Sequence, residues 1–197
     1  MTGADEDLVR RFLEGDRDAF GELVRRHERR VYNLAFRILG REEDARDAAQ
    51  EAFLSALRKL SGFRGEAQFT TWMHRVTVNA CYDLLRKKSR QPMLHLVGED
   101  DEPALEPGPP LADHADEVAG TTDVARALAK VPLEFRTVLV LHDVQDVAYE
   151  DIARILQVPV GTVKSRLHRG RIALAKALGL RPAREPDDPA RASEGEP

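Results

Sequence analysis

Residues 91–120 carry eight Asp or Glu and no Lys or Arg, a net charge of −8. Pro92, Pro103, Pro107, Pro109 and Pro110 interrupt the same stretch. A segment this acidic and this broken by proline has little prospect of burying a core, so it reads as a linker. It divides the 197-residue chain into two blocks. Apolar residues in both blocks recur at helical spacing, and no credible strand pattern or internal repeat is visible. The expected fold is all-α, with two small helical domains joined by a flexible acidic linker. The expected boundaries are a first domain at 1–92, the linker at 93–120, a second domain at 121–181 and a disordered tail at 182–197.

The first block predicts four helices. A short one covers residues 5–14. A longer one follows Asp16 as N-cap, with Phe20, Leu23, Val24, Val31, Leu34, Ala35, Ile38 and Leu39 on its apolar face and Gly40 as its stop. Residues 42–60 place Ala45, Ala48, Ala49, Ala52, Phe53, Ala56 and Leu60 on one stripe, with Asp44, Asp47, Gln50, Glu51 and Arg58 off it. The glycines of residues 61–68 mark a loop. From about Thr70 to Arg90 the chain is apolar on several sides, which predicts a helix held between neighbours. Trp72 reads as core ahead of a stacking platform. Cys81 reads as a small packing residue, with a redox-sensing thiol as the minor alternative.

Charge distribution then narrows the function. The whole chain is −4, which alone argues against nucleic acid. Yet residues 61–90 hold six Lys/Arg against two acids, a net +4, and residues 152–181 hold seven and no acid, a net +7. Two basic blocks flanking an acidic one suggest two DNA-facing surfaces. One cysteine precludes an internal disulfide or a multi-thiolate metal site. The six histidines show no metal-ligand spacing, and no Gly-rich phosphate loop is present. Neither a cofactor, a metal nor a catalytic centre is therefore expected. The acidic N-terminus lacks a signal-peptide pattern and no apolar run would span a bilayer, so a cytoplasmic protein without membrane insertion is expected.

Helical patterns resume at about Thr122–Lys130 and Leu133–His142. A first helix at Ala148–Leu156, a break at Gln157–Pro159 and a second helix from about Val160 then make a helix-turn-helix. Val163, Leu167, Gly170 and Leu174 face the core, and Gly170 would let a neighbouring helix come close. Thr162, Ser165, His168 and Arg169 point away, flanked by Lys164 and Arg166. Hydroxyls and an arginine near the start of such a helix suit major-groove reading, and flanking cations suit phosphates. A solvated basic amphipathic helix would share the charge, but not the preceding helix and short break.

At these residues a family becomes recognisable. YEDIARILQVPVGTVKSRLHRGR resembles region 4 of the sigma-70 family of bacterial RNA polymerase sigma factors. DARDAAQEAFLSAL resembles its core-polymerase-binding helix, and FRGEAQFTTWMHRVTVNACYDLLRKKSR its promoter-opening segment. The resemblance covers about residues 5–180 in the right order, and the two-domain layout is that of the extracytoplasmic-function group. It implies a sigma factor that binds core RNA polymerase (the β and β′ subunits) and directs promoter-specific initiation, without a small-molecule substrate. It implies core contacts at Asp44, Asp47, Gln50 and Glu51. Phe63, Arg64 and the loop through Gln68 would accept a base flipped from the −10 element. Asn79 would read the same element, or link neighbouring helices. Arg86, Lys87, Lys88 and Arg90 would meet phosphates.

In the second domain Lys164, Ser165, His168 and Arg169 would read the −35 element, with Thr162 on the backbone and Arg166 beside them. The linker would thread polymerase channels, or serve only as a solubilising spacer. Members of the family are commonly held by an anti-sigma factor. One departure is Ala148, where the family often has serine. Losing that cap costs about 1 kcal/mol, so an upstream residue such as Asp146 is a candidate to start the helix. The main rival is a stand-alone helix-turn-helix repressor or activator, which would bind a palindromic duplex without polymerase.

Overall fold

A computed structural model describes residues 3–65, 67–90 and 118–180. Most of the expected linker and the expected tail lie outside these residues. The described residues are helical, without strands: α1 (Gly3–Leu13), α2 (Arg17–Leu39), α3 (Glu42–Lys59), α4 (Phe69–Arg90), α5 (Val118–Ala129), α6 (Leu133–Leu139), α7 (Tyr149–Leu156) and α8 (Val160–Ala177). A 3-10 turn (Leu60–Gly62) follows α3 and a π turn (Val140–Val144) follows α6.

Local signals set the long helix α2. The Asp16 carboxylate accepts from the Asp18 and Ala19 amides at 3.0 and 3.4 Å, satisfying donors that a helix start leaves open. Gly40 closes it at φ +75°, donating to the Phe36 carbonyl at 2.8 Å. In α3, five buried alanines (Ala45, Ala48, Ala49, Ala52, Ala56) let neighbouring helices approach closely. Asp44 departs from its expected place off the stripe. It is buried and ion-paired with Lys88 of α4, since it begins the turn that α4 overlies. As its apolar sides predict, α4 is central, burying Phe69, Trp72, Met73, Val76, Val78, Ala80 and Cys81. Burial pushes the Cys81 thiol up to about 12, consistent with packing rather than thiolate chemistry.

The second block folds as α5 to α8. Gly170 sits where a Cβ would come within 3.1 Å of the Phe135 carbonyl oxygen and 3.4 Å of Leu139, so glycine permits the α6–α8 crossing. Helix α7 begins at Tyr149, and its N-cap Ala148 makes no side-chain cap bond. Asp146 does not start it: the residue stands at φ +54° in the preceding turn. The turn is held by Gln145 N–H to Val140 O and Val147 N–H to Leu141 O, both 3.0 Å.

Two cores result. One lies within the first block, around Leu23, Val31, Ala52, Leu60, Phe69 and Met73. The other joins the blocks: Leu34, Ile38, Val78 and Cys81 pack with Val138, Leu141, Ile152 and Leu167. Packing of the two blocks on one another was not part of the sequence expectation.

Candidate nucleic-acid interface

Helix α8 separates its residues cleanly. Val163, Leu167 and Gly170 are buried, while Lys164, Ser165, His168 and Arg169 are exposed together on the opposite side. Thr162 is half-buried, and its carbonyl accepts from Ser165 Oγ at 3.0 Å. Lys164 Nζ stands 5.7 Å from the centroid of the Tyr149 ring, on whose other neighbour, His142, the ring stacks at 4.6 Å. That cation–π contact steers a flexible charge toward the start of α8. Arg169 has no ion-pair partner among the described residues, which leaves its guanidinium fork available for an external acceptor. Arg166 is placed differently from its neighbours: it is half-buried and paired with Glu134 at 3.0 Å. Arg171 is held by Asp143 through bonds of 3.0 and 2.6 Å.

The second basic surface is assembled across a loop and a helix. Phe63 is half-buried and meets Trp72 edge-on at 5.5 Å and Phe69 at 6.0 Å. Trp72 is 9% exposed, a core residue that supports Phe63 from below. Beside this cluster a cavity of about 180 Å³ is lined by Phe63, Arg64, Gly65, Thr71, Trp72 and Arg75, with Arg154 and Ile155 of α7 at its edge. Arg64 is exposed at its rim; Gln68 and Asn79 are exposed too but do not line it. Arg75 is a residue the sequence reading missed. It is exposed, lies one turn before Asn79 and has no ion-pair partner among the described residues. Its signal was the spacing of four from Asn79, which puts both on one helical face.

Farther along α4, Arg86, Lys87, Lys88 and Arg90 are exposed. They are not equivalent. Arg86 pairs with Asp83, and Lys88 with the buried Asp44, whereas Lys87 has no ion-pair partner among the described residues. Lys87 borders a groove between α3 and α4 of about 280 Å³, lined also by Asp47, Gln50, Glu51 and Leu54. Of the four core-contact candidates, Asp47, Gln50 and Glu51 are exposed along this groove and Asp44 is inside the fold. Leu54, 44% exposed, sits on the same face. An apolar residue two positions after Ala52 is far off the alanine stripe, and that misplacement was its signal in the sequence. An exposed leucine among carboxylates suits a protein partner better than DNA.

Among the described residues no group of three His, Cys, Asp or Glu could hold a metal ion, and no helix is long and apolar enough to cross a membrane.

Comparisons with known proteins identify the family. The Sigma-70 region 2 family model matches residues 23–91, and the Sigma-70, region 4 model matches residues 121–174. The ECF RNA polymerase sigma factor SigM of Mycobacterium tuberculosis is 41% identical over 176 residues, covering 89% of this chain and 85% of its own. The ECF RNA polymerase sigma factor SigW of Bacillus subtilis is 34% identical over 176 residues, covering 86% of this chain and 94% of its own. The structure of CnrH in complex with the cytosolic domain of CnrY matches with a TM-score of 0.65 at 26% identity, over 89% of this chain and 97% of that one. The sigma factor RpoE of Bartonella quintana, in complex with the anti-sigma factor NepR, shares the fold with a TM-score of 0.66 at 21% identity, over 83% of this chain and 98% of that one. The chain belongs to the extracytoplasmic-function group of sigma-70 family RNA polymerase sigma factors, regulatory proteins that direct transcription initiation.

Proposed function

We propose that this sigma factor docks on core RNA polymerase through the α3–α4 groove and reads a promoter through two separate faces. The polar rim of Asp47, Gln50 and Glu51, two carboxylates and an amide beside exposed Leu54, is the core-binding surface, toward the β′ subunit. The exposed quartet Lys164, Ser165, His168 and Arg169 reads the −35 element in the major groove, with Thr162 near the backbone. The cavity lined by Phe63 and Arg64, with Gln68 farther along the same loop, takes a base unstacked from the −10 element. Asn79 and Arg75 lie along the strand that leaves it. Lys87 and Arg90 position phosphates. The observation that carries this reading is the free Arg169 fork on the exposed face of α8, opposite buried Val163, Leu167 and Gly170.

Polymerase supplies the chemistry, so no catalytic group is assigned to this chain. Its place of action is the cytoplasm, in a stress- or envelope-related response. The anti-sigma partners of the RpoE and CnrH neighbours point to an anti-sigma factor here too, acting on the same surfaces. The domain limits at 1–92, 93–120 and 121–181 belong to this proposal.

Run-off transcription with purified bacterial core polymerase, on a library of upstream regions, tests it. Transcripts that depend on the added protein, from an asymmetric two-part promoter, are the expected result. Binding to a palindromic duplex without core, and no transcripts, would instead establish a stand-alone repressor or activator.

A further inference from the structure

Lysine is an awkward reader of bases. Its ammonium is a point charge on a flexible stem, without the preorganised fork of arginine. Lys164 stands exposed in the first turns of α8, with no carboxylate partner among the described residues. What it has instead is an aromatic face. Its Nζ lies 5.7 Å from the centroid of the Tyr149 ring, inside the roughly 6 Å range of a cation–π contact.

The ring is itself held. Tyr149 begins α7 and packs, half-buried, against the core that contains Ile152, Ile155, Val163 and Leu167. His142 stacks on it at 4.6 Å, with the two rings 26° from parallel. His142 Nδ1 lies 2.8 Å from Asp143 Oδ1. An ionised carboxylate only accepts, so Nδ1–H is the donor and the imidazole is fixed in one orientation. Asp143 also accepts from Arg171 Nε at 3.0 Å and from Arg171 Nη2 at 2.6 Å. The Arg171 guanidinium, and after it His142, hold the Asp143 carboxyl below the usual carboxylate range.

Arg171 returns this series of contacts to α8. It follows Lys164 by seven residues, about two helical turns, so both lie along one side of the helix. The series Lys164–Tyr149–His142–Asp143–Arg171 therefore grips α8 at two points, using the π turn after α6 and the first residue of α7. Buried Val163, Leu167 and Gly170 set how α8 sits on the core. The grip sets where the first cation of its exposed face points.

We propose that Tyr149 is a positioning residue for reading the −35 element: its ring, seated on His142 and tied through Asp143 to Arg171, holds the Lys164 ammonium on one line of approach to a base edge. The proposal rests on the −35 assignment of Lys164 given above. A stem ordered before DNA arrives loses less freedom on contact. The ring thereby sharpens discrimination at the base pair that Lys164 meets.

Selection of a randomised −35 library by holoenzyme, followed by sequencing, tests this with full-length variants. Lys164→Ala should flatten preference at one base pair and so locate it. Tyr149→Leu removes the ring and is expected to lower preference at that same pair about two- to fivefold, the range of an exposed cation–π contact. Tyr149→Phe keeps the ring and should keep the preference. His142→Ala, which takes away the seat of the ring, should lower it in the same direction by a smaller factor. In a Lys164→Ala background Tyr149→Leu should have no further effect at that pair. A merely structural role would instead weaken binding at every position alike, and would persist without Lys164. Unchanged preference in Tyr149→Leu, equal losses in Tyr149→Phe and Tyr149→Leu, or a loss that persists in the Lys164→Ala background would each overturn the positioning role. If Lys164→Ala altered no base preference, the −35 assignment of Lys164 would fail, and the positioning role with it.

Discussion

The two surfaces proposed to face DNA are built in opposite ways. The α8 face is one helix whose exposed side carries hydroxyl, imidazole and guanidinium groups above a buried seam of Val163, Leu167 and Gly170. The α4 face is composite: a loop brings Phe63 and Arg64 against Trp72, and the helix supplies Arg75 and Asn79. A single helix can be inserted into an intact major groove as a rigid rod. A cavity beside an aromatic cluster requires a base that has already left its stack. The first surface suits duplex reading and the second suits capture of unwound DNA.

Their sensitivity to acid separates them most. His74 is 4% exposed, and burial, with the charges of Arg30 and His27, lowers its imidazole to about 4. The folded value lies below the unfolded one, so the unfolded chain binds more protons as pH falls. The stability associated with the neutral ring is full above about pH 6.5 and is lost progressively as pH drops toward 4, by about 3 kcal/mol in all. Among the described residues the second block buries no imidazole; His168 is exposed and His142 half-buried. Urea denaturation across this pH range should show the loss in wild type and a flatter profile in His74→Leu. An unchanged profile would mean that His74 finds a partner in solution.

A packing test addresses the other half. Gly170→Leu must push a Cβ against the Phe135 carbonyl oxygen, and overpacking of this kind costs about 1–3 kcal/mol. Thermal denaturation should show the loss, and −35 duplex binding should fall with it. Gly161, whose added Cβ would meet nothing within 4 Å, is the matched control at the other end of α8. Both changes raise helix propensity, so a Gly161→Ala variant as damaged as Gly170→Leu would show that the α6 crossing does not set the effect.

The readout functions divide in the same way. Arg169→Ala should cost about 1–3 kcal/mol at one upstream base pair and relax preference there, leaving strand opening intact. Phe63→Ala should reduce permanganate reactivity of the opened −10 region, by a stacking term of about 1–3 kcal/mol, while −35 preference stays unchanged. Promoter-library sequencing for the first and permanganate footprinting for the second check both. If each variant disturbed both readouts equally, the division of labour between α8 and α4 would be wrong.

Legibility in the sequence followed chain distance. Asp16 and Gly40 as the limits of α2, the inward turn of Gly170 and the outward quartet on α8 all depend on neighbours within one or two helical turns, where the 3.6-residue period suffices. Asp44 looked like a surface acid because its partner Lys88 lies 44 residues away. Arg166 looked like a flanking phosphate contact because Glu134 comes from another helix. The bond from Arg136 of α6 to the Ile38 carbonyl spans 98 residues and the acidic segment, so no periodicity encodes it. Arg75 and Leu54 were within reach of the same helical arithmetic, but their significance emerged only when a cavity and a groove formed beside them.

The adjacent lysines of α4 give the finest discrimination between fold and readout. Lys87 has no ion-pair partner among the described residues, whereas Lys88 neutralises a carboxylate that is 5% exposed. Lys87→Ala should weaken promoter binding evenly across sequences and reduce the salt slope by about 1, as expected for one lost phosphate contact. Lys88→Ala should leave the salt slope nearly unchanged and lower stability instead, because Asp44 is then buried without its cation. The double change Asp44→Asn with Lys88→Ala should recover part of that stability, since a neutral amide is less costly to bury than a carboxylate. Salt titrations of holoenzyme–promoter binding and urea denaturation of the same variants measure the two effects separately. A salt slope that fell for Lys88→Ala but not for Lys87→Ala would exchange their roles, and Asp44 would then be free to turn outward toward polymerase.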